Sequence, residues 1–208
     1  MTSFLRAKAF LLISAVLGLH LASCSTPDVL EQDTTNTVII IENMQGSAGG
    51  EGSATDDLLS DICSNDSFTE GTCTVLPDFG VVEISATLKN PNQSVTTFFN
   101  DVTFTTYRVN YVRADQRKVP GVDVPFPCDG AANFTVGVGE GSATRIFIIV
   151  RDQAKLEAPL RNLAFNGGSV VLSVIAEVEF FGTDGAGREI SAKSFLNIHF
   201  ADFAGESN

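Results

Sequence analysis

Two glutamates two residues apart, Glu177 and Glu179, are the first groups in this sequence whose spacing chemistry could use. On an extended strand, residues i and i+2 share a face with about 7 Å between their side chains, within the range of a glycosidase acid pair. Any solvated strand produces that spacing, and a lysine facing Glu177 explains it as plain charge pairing. The second candidate is His199. The other histidine, His20, lies in an apolar N-terminal run, so Ser–His or Cys–His catalysis would fall to His199. Such a base needs a nucleophile and an orienting acid. The sequence offers no GxSxG, no HExxH and no phosphate-binding glycine loop. Asp184, and separately Asp57, Asp61 and Asp66, could offer oxygens to calcium, but neither set follows the DxDxDG spacing, so they read as a turn former and solvated surface. The sequence also lacks the CxxC pairs of a structural zinc site. We therefore expect no catalytic residue, no cofactor, no metal, and a solvated His199.

The acidic balance narrows the partners. With 13 Lys and Arg against 25 Asp and Glu, the 208-residue chain carries a formal charge of -12. That excludes a general nucleic-acid binder, which needs clustered cations for phosphate contacts. It also argues against electrostatic docking on anionic headgroups. A hydrophobic share of 44% excludes wholesale disorder and is enough for a proper core. A carbohydrate-binding module is disfavoured, because sugar rings stack on aromatic faces and the chain has no Trp and only two Tyr.

The elements that would position these residues have mostly a period of two. Val82, Ile84, Ala86 and Leu88 alternate with polar residues, and Asn90-Pro91-Asn92 ends that strand with turn chemistry. Thr103 to Ala114 predicts a second strand whose imperfect alternation hides a bulge. Phe134–Val138 and Arg145–Val150 predict shorter strands, and Leu156, Leu160 and Leu163 a short crossover helix or two turns limited by Pro159. Near the C-terminus, Val170 to Phe180 and Ile190 to Phe200 present matching apolar faces. Aligning them pairs Val178 with Ala192, Phe180 with Ile190 and Leu172 with Ile198, and sets Glu177 opposite Lys193. The loop is then Thr183-Asp184-Gly185-Ala186-Gly187. The expected fold is all-β, an immunoglobulin-like or fibronectin-III-like antiparallel β-sandwich with a short crossover helix. With no Trp, the sixteen Phe must supply the bulky core.

Location is written at the N-terminus. Met1 to Ser23 has a basic start (Arg6, Lys8), an apolar run from Ala9 to Leu19 and no acidic residue. The run is too short to span a bilayer and suits a secretory signal. It ends in Leu21-Ala22-Ser23-Cys24, which resembles the lipobox of bacterial lipoproteins: an aliphatic residue, two small residues and a cysteine. The resemblance implies cleavage before Cys24, acylation of Cys24, and, with Ser25 following, the outer membrane of a Gram-negative envelope. Two or three acyl chains hold a protein durably where one does not. The membrane would then be reached through the lipid. The segments Pro120–Pro125, Ala154–Leu160 and Phe200–Phe203 also resemble stretches of a bacterial lipoprotein family that has no activity to lend.

On this reading residues 1–23 are a signal peptide, 24–57 a tether, and 58–208 the sandwich domain. The tether is rich in Ser, Thr, Asp and Gly, notably from Gly46 to Ser53, and would reach roughly 30 Å. Thr37 to Ile41 interrupts it with a β-branched run suited to a strand added at the domain's edge or to docking on another protein. Once Cys24 is lipidated, Cys63, Cys73 and Cys128 remain. Three pairings are open; Cys63 with Cys73 closes the shortest loop, leaving Cys128 free or buried. The expected function is a non-enzymatic binding or structural module of the envelope, with an envelope protein as its partner. The alternatives are an envelope hydrolase with an unidentified acidic site and a small-ligand or calcium-binding module.

Overall fold

Inward-facing apolar residues on alternate positions build the strands. In a computed structural model, residues 35–50, 53–63, 74–90, 92, 96–166 and 168–203 are described. The strands in chain order are β1 (Thr37–Ser47), β2 (Asp57–Asp61), β3 (Asp78–Leu88), β4 (Val102–Arg113), β5 (Cys128–Val136), β6 (Ala143–Val150), β7 (Leu172–Asp184) and β8 (Glu189–Ala201). A single-turn helix α1 (Asp152–Lys155) and a 3-10 turn (Leu160–Leu163) cross between β6 and β7. The strands form two sheets, β1-β3-β6 and β2-β8-β7-β4-β5. All pairings are antiparallel except β2 with β8. The result is a sandwich-like arrangement, mostly β.

The core lies between the sheets. Phe104 and Tyr107 of β4, Phe134 of β5, Phe180 of β7 and Phe147 of β6 form one cluster of rings with neighbouring centroids 5.0 to 6.1 Å apart, in which Tyr107 and Phe180 meet Phe147 across the sheets. Each such pair adds about 0.5–1.5 kcal/mol beyond its area. Each sheet makes room for them with a glycine: a Cβ on Gly80 of β3 would overlap the Phe147 ring, and one on Gly130 of β5 the Tyr107 ring. Both tyrosines of the chain bolt the sheets together. Tyr107 Oη donates to Ile148 O (3.0 Å) and Tyr111 Oη to Ile149 O (2.5 Å).

Several expectations hold. β4 carries its bulge, with a register shift between Phe104 and Thr106, and the crossover is two short turns. Others need correction. The strand expected at 37–41 pairs with β3 and runs on to Ser47. An extra residue at Glu42 shifts the register, so Ile39 and Ile41 before it and Met44 after it all turn inward. Gly46 and Ser47 are therefore sheet residues and not tether, and the compact unit holding the described residues begins at Gln32, well before residue 58.

The final hairpin keeps its predicted faces but slides by two residues. Leu172 pairs with Phe200, Val178 with Ser194, Phe180 with Ala192, and Glu179 instead of Glu177 with Lys193. A slide of two leaves every side chain on its face, so the apolar pattern cannot distinguish the registers. The turn does. Asp184 N donates to Arg188 O (2.9 Å), leaving Gly185-Ala186-Gly187 as the loop. Asp184, only 3% exposed, accepts from Ala186 N (3.0 Å), Arg188 N (2.9 Å) and Arg188 Nε (2.8 Å). Gly187 takes the positive φ (80°) that three-residue hairpins use.

Candidate binding cleft on the five-stranded sheet

The outer face of the large sheet carries most of the candidate side chains, and the register sets them in rows. One row runs Lys193, Glu179, Arg108, Asp129 from β8 to β5, alternating in charge. The next holds Phe195, Glu177 and Asn110. Arg108 Nε lies 2.7 Å from Asp129 Oδ1, and this hydrogen bond holds the Asp129 carboxyl below its ordinary range. Lys193 does not stay in its row. Its Nζ reaches Glu177 Oε2 at 3.2 Å and sits 5.5 Å from the Phe195 ring centroid. The pair expected from the sequence forms, but diagonally.

Over one end of this face the connection from β4 to β5 folds back as a stiff flap. Asp115 binds Arg113 (3.3 Å) and Arg117 (2.7 Å), and Arg117 also reaches Asp123 (3.6 Å). The Arg117 guanidinium holds the Asp115 carboxyl below its ordinary range. Val119 O collects amide protons from Val122, Asp123 and Val124, and Val124 is 1% exposed, so the flap is pinned at its middle. Three prolines along it, Pro120, Pro125 and Pro127, restrict its φ angles.

Between flap and sheet lies a cleft of about 400 Å³. Asn110, Val112 and Glu177 line it from the sheet, and Gln116, Lys118 and Pro125 from the flap. That volume is in the range that takes a small molecule. A carboxylate, an ammonium and two amides around an apolar strip can orient a small polar ligand. None of these groups is a conventional nucleophile with an adjacent base.

Glu179 lies in the charge row and is absent from the cleft lining. His199 is half-buried, and its Nδ1 lies 2.8 Å from Ser173 Oγ across the β7–β8 pair, which corrects the expectation of a solvated ring. The pair has no carboxylate bonded to the other ring nitrogen among the described residues, and it lies outside the cleft. Asp57 accepts from Asn197 Nδ2 (2.9 Å). Asp61 accepts from the amides of Cys63 (3.3 Å) and Phe203 (3.2 Å), and burial raises its carboxyl above the usual range. Asp66 lies outside the described residues, as do Cys24 and Cys73. Cys63 is disulfide-bonded. Cys128 is free and buried, and burial pushes its thiol up. Among the described residues no group of three His, Cys, Asp or Glu could hold a metal ion. No helix there is long and apolar enough to cross a membrane.

The chain matches no protein-family model, no curated protein and no solved structure. The cleft must therefore speak through its own chemistry. Reasoning from sequence singled out Glu177 but missed Asn110, Gln116 and Lys118. The available signal was the proline-spaced segment Pro120–Pro125, a loop too rigid in composition for a mere connection.

Proposed function

We propose that this protein is a lipid-anchored envelope protein whose sandwich is a non-enzymatic module binding a small polar ligand in the cleft under the 114–127 flap. The observation that carries the binding role is the cleft of about 400 Å³ with Glu177 on its floor and Lys118 on its roof. Anchoring rests on Leu21-Ala22-Ser23-Cys24 behind an apolar run, and outer-membrane location on Ser25. The strand order supports the immunoglobulin-like reading. Taken in chain order, β1, β3 and β6 correspond to strands A, B and E, and β8, β7 and β4 to G, F and C. The candidate catalytic side chains support a non-catalytic role: Glu177 on the cleft floor is paired with Lys193, and among the described residues Ser173 Oγ and His199 Nδ1 bond each other with no carboxylate joined to the pair.

The test is a thermal-shift screen of amino acids, sugars, nucleotides and short acids on the protein and on Asn110→Trp, which fills the cleft. A ligand at a hundred times its Kd adds about 2.7 kcal/mol to stability. The expected result is a shift with at least one class that Asn110→Trp abolishes while folding normally. No shift with any class, or a shift that survives in Asn110→Trp, contradicts the cleft as the site.

A further inference from the structure

Phe98 and Phe99 are 68% and 49% exposed, and their rings pack together, tilted by 34°, with 4.0 Å between centroids. They sit on a 3-10 turn (Phe98–Asn100) just before β4, and the turn is built to hold them out. Asn100, 5% exposed, accepts from Thr97 N (3.3 Å) and bonds Thr97 Oγ1 (3.2 Å), and its carbonyl accepts from Thr37 Oγ1 (2.7 Å). Gly185 N donates to Asp101 O (3.0 Å), and a Cβ on Gly185 would overlap the Phe98 carbonyl. Two large rings are thus fixed in water on a rigid base, where each costs the free energy of exposed apolar area.

The bond from Thr37 to Asn100 also says which end this is. It is the end at which β1 begins, so the chain leading back to Cys24 departs beside the two rings. The residues from Cys24 to Thr37 span at most about 45 Å even when fully extended. β7, with 13 residues, is roughly 43 Å long. An anchor at Cys24 therefore draws the Phe98–Phe99 end toward the bilayer; the opposite end could meet it only with the sandwich laid flat. β4 runs away from this end toward the flap, so the cleft would face away from the lipid.

We infer that Phe98 and Phe99 insert into the bilayer that holds the Cys24 lipid, orienting the sandwich upright on it. This rests on the anchoring reading above. The occupant is a lipid surface met through apolar contact: the chain's charge of -12 offers no attraction to anionic headgroups, so docking should occur on zwitterionic lipid and be insensitive to salt. Burying a ring is worth about tenfold or more in partition.

The chain has no Trp, so Phe99→Trp introduces a sole reporter. The full-length variant, purified from membranes, is first weighed intact and then reconstituted into phosphatidylcholine vesicles containing brominated lipid. Val122→Trp, at a 70% exposed flap position, serves as control. The expected result is acyl mass on the protein, blue-shifted and strongly quenched emission from Phe99→Trp at low and high salt, and neither effect from Val122→Trp. Acyl mass with water-like, unquenched emission from Phe99→Trp overturns the insertion and leaves the anchor standing. A blue shift that needs no vesicles and grows with protein concentration assigns the rings to a second copy of the chain and overturns it too. Absence of acyl mass overturns both readings.

Discussion

Lys155 Nζ lies 2.9 Å from Asp78 Oδ1, with the two side chains 1% and 0% exposed. The pair is fully satisfied: Asp78 also accepts from Ser60 Oγ (2.6 Å) and Gly49 N (3.1 Å), and Lys155 donates to Asp61 O (2.8 Å). It joins α1, β3 and β2, and so ties the crossover to both sheets. Removing one member strands a buried charge, which costs about 3–5 kcal/mol. Lys155→Met and Asp78→Asn should each fall in that range by denaturant unfolding. The double variant should recover part of the loss, because a neutral pair leaves no charge unpaired. Additive losses would show that the two ions do not depend on each other.

The close approach of Gly80 to Phe147 predicts a steric penalty with its own rescue. Gly80→Ala should destabilise by about 1–3 kcal/mol, the usual cost of overpacking. Adding Phe147→Leu should cost less in the Gly80→Ala background than in the native one, since the smaller side chain relieves the overlap. Equal costs in both backgrounds would contradict the packing between β3 and β6.

The two tyrosine bolts should differ in strength. Tyr111 is 3% exposed and its partner, the Ile149 carbonyl, lies deep between the sheets. Tyr111→Phe leaves that carbonyl unsatisfied and should cost about 1–3 kcal/mol, whereas Tyr107→Phe, whose bond is only part-buried, should cost about 0.5–1.5 kcal/mol. Thermal or urea unfolding ranks them. The reverse order would contradict the burial of the Ile149 carbonyl and its dependence on the Tyr111 hydroxyl.

Cys128 gives a pH dependence with a definite sign. Burial raises its thiol above the ordinary value, so the native state favours the protonated form. Its contribution to stability is complete below the unfolded-state value and is lost as pH rises through the folded one. Native protein should therefore alkylate slowly at Cys128 even where an ordinary thiol reacts, and quickly in denaturant. Cys128→Ala should flatten the alkaline fall in stability. Rapid labelling of the native thiol would contradict its burial.

Legibility in the sequence followed the range of the interactions. Alternation gave the inward faces of β3, β7 and β8, because facing is set by local parity. The hairpin's register depends on Asp184 capping its own turn, and a pattern of period two cannot see a slide of two. β1 was legible only as far as Ile41, since the extra residue at Glu42 resets the parity just where glycines suggest a linker. β2 was hidden: its inward positions are Leu58 and Ser60, and burial of a serine makes sense only once Asp78 is known to receive it. Nothing near Lys155 in the sequence marks it as buried for the same reason, its partner being 77 residues away. Of the cleft, Glu177 was visible through its spacing from Glu179, while Lys118 and Gln116 arrive on a flap with no periodicity to mark them.

The central claim is that the sandwich is held at the envelope by a lipid on Cys24, and intact-mass spectrometry of the protein purified from its native membranes tests it most directly. The account predicts a chain that begins at Cys24 and carries the mass of a diacylglyceryl group, with or without a further acyl chain. A chain that retains Met1–Ser23, or begins elsewhere with no acyl mass, would contradict it.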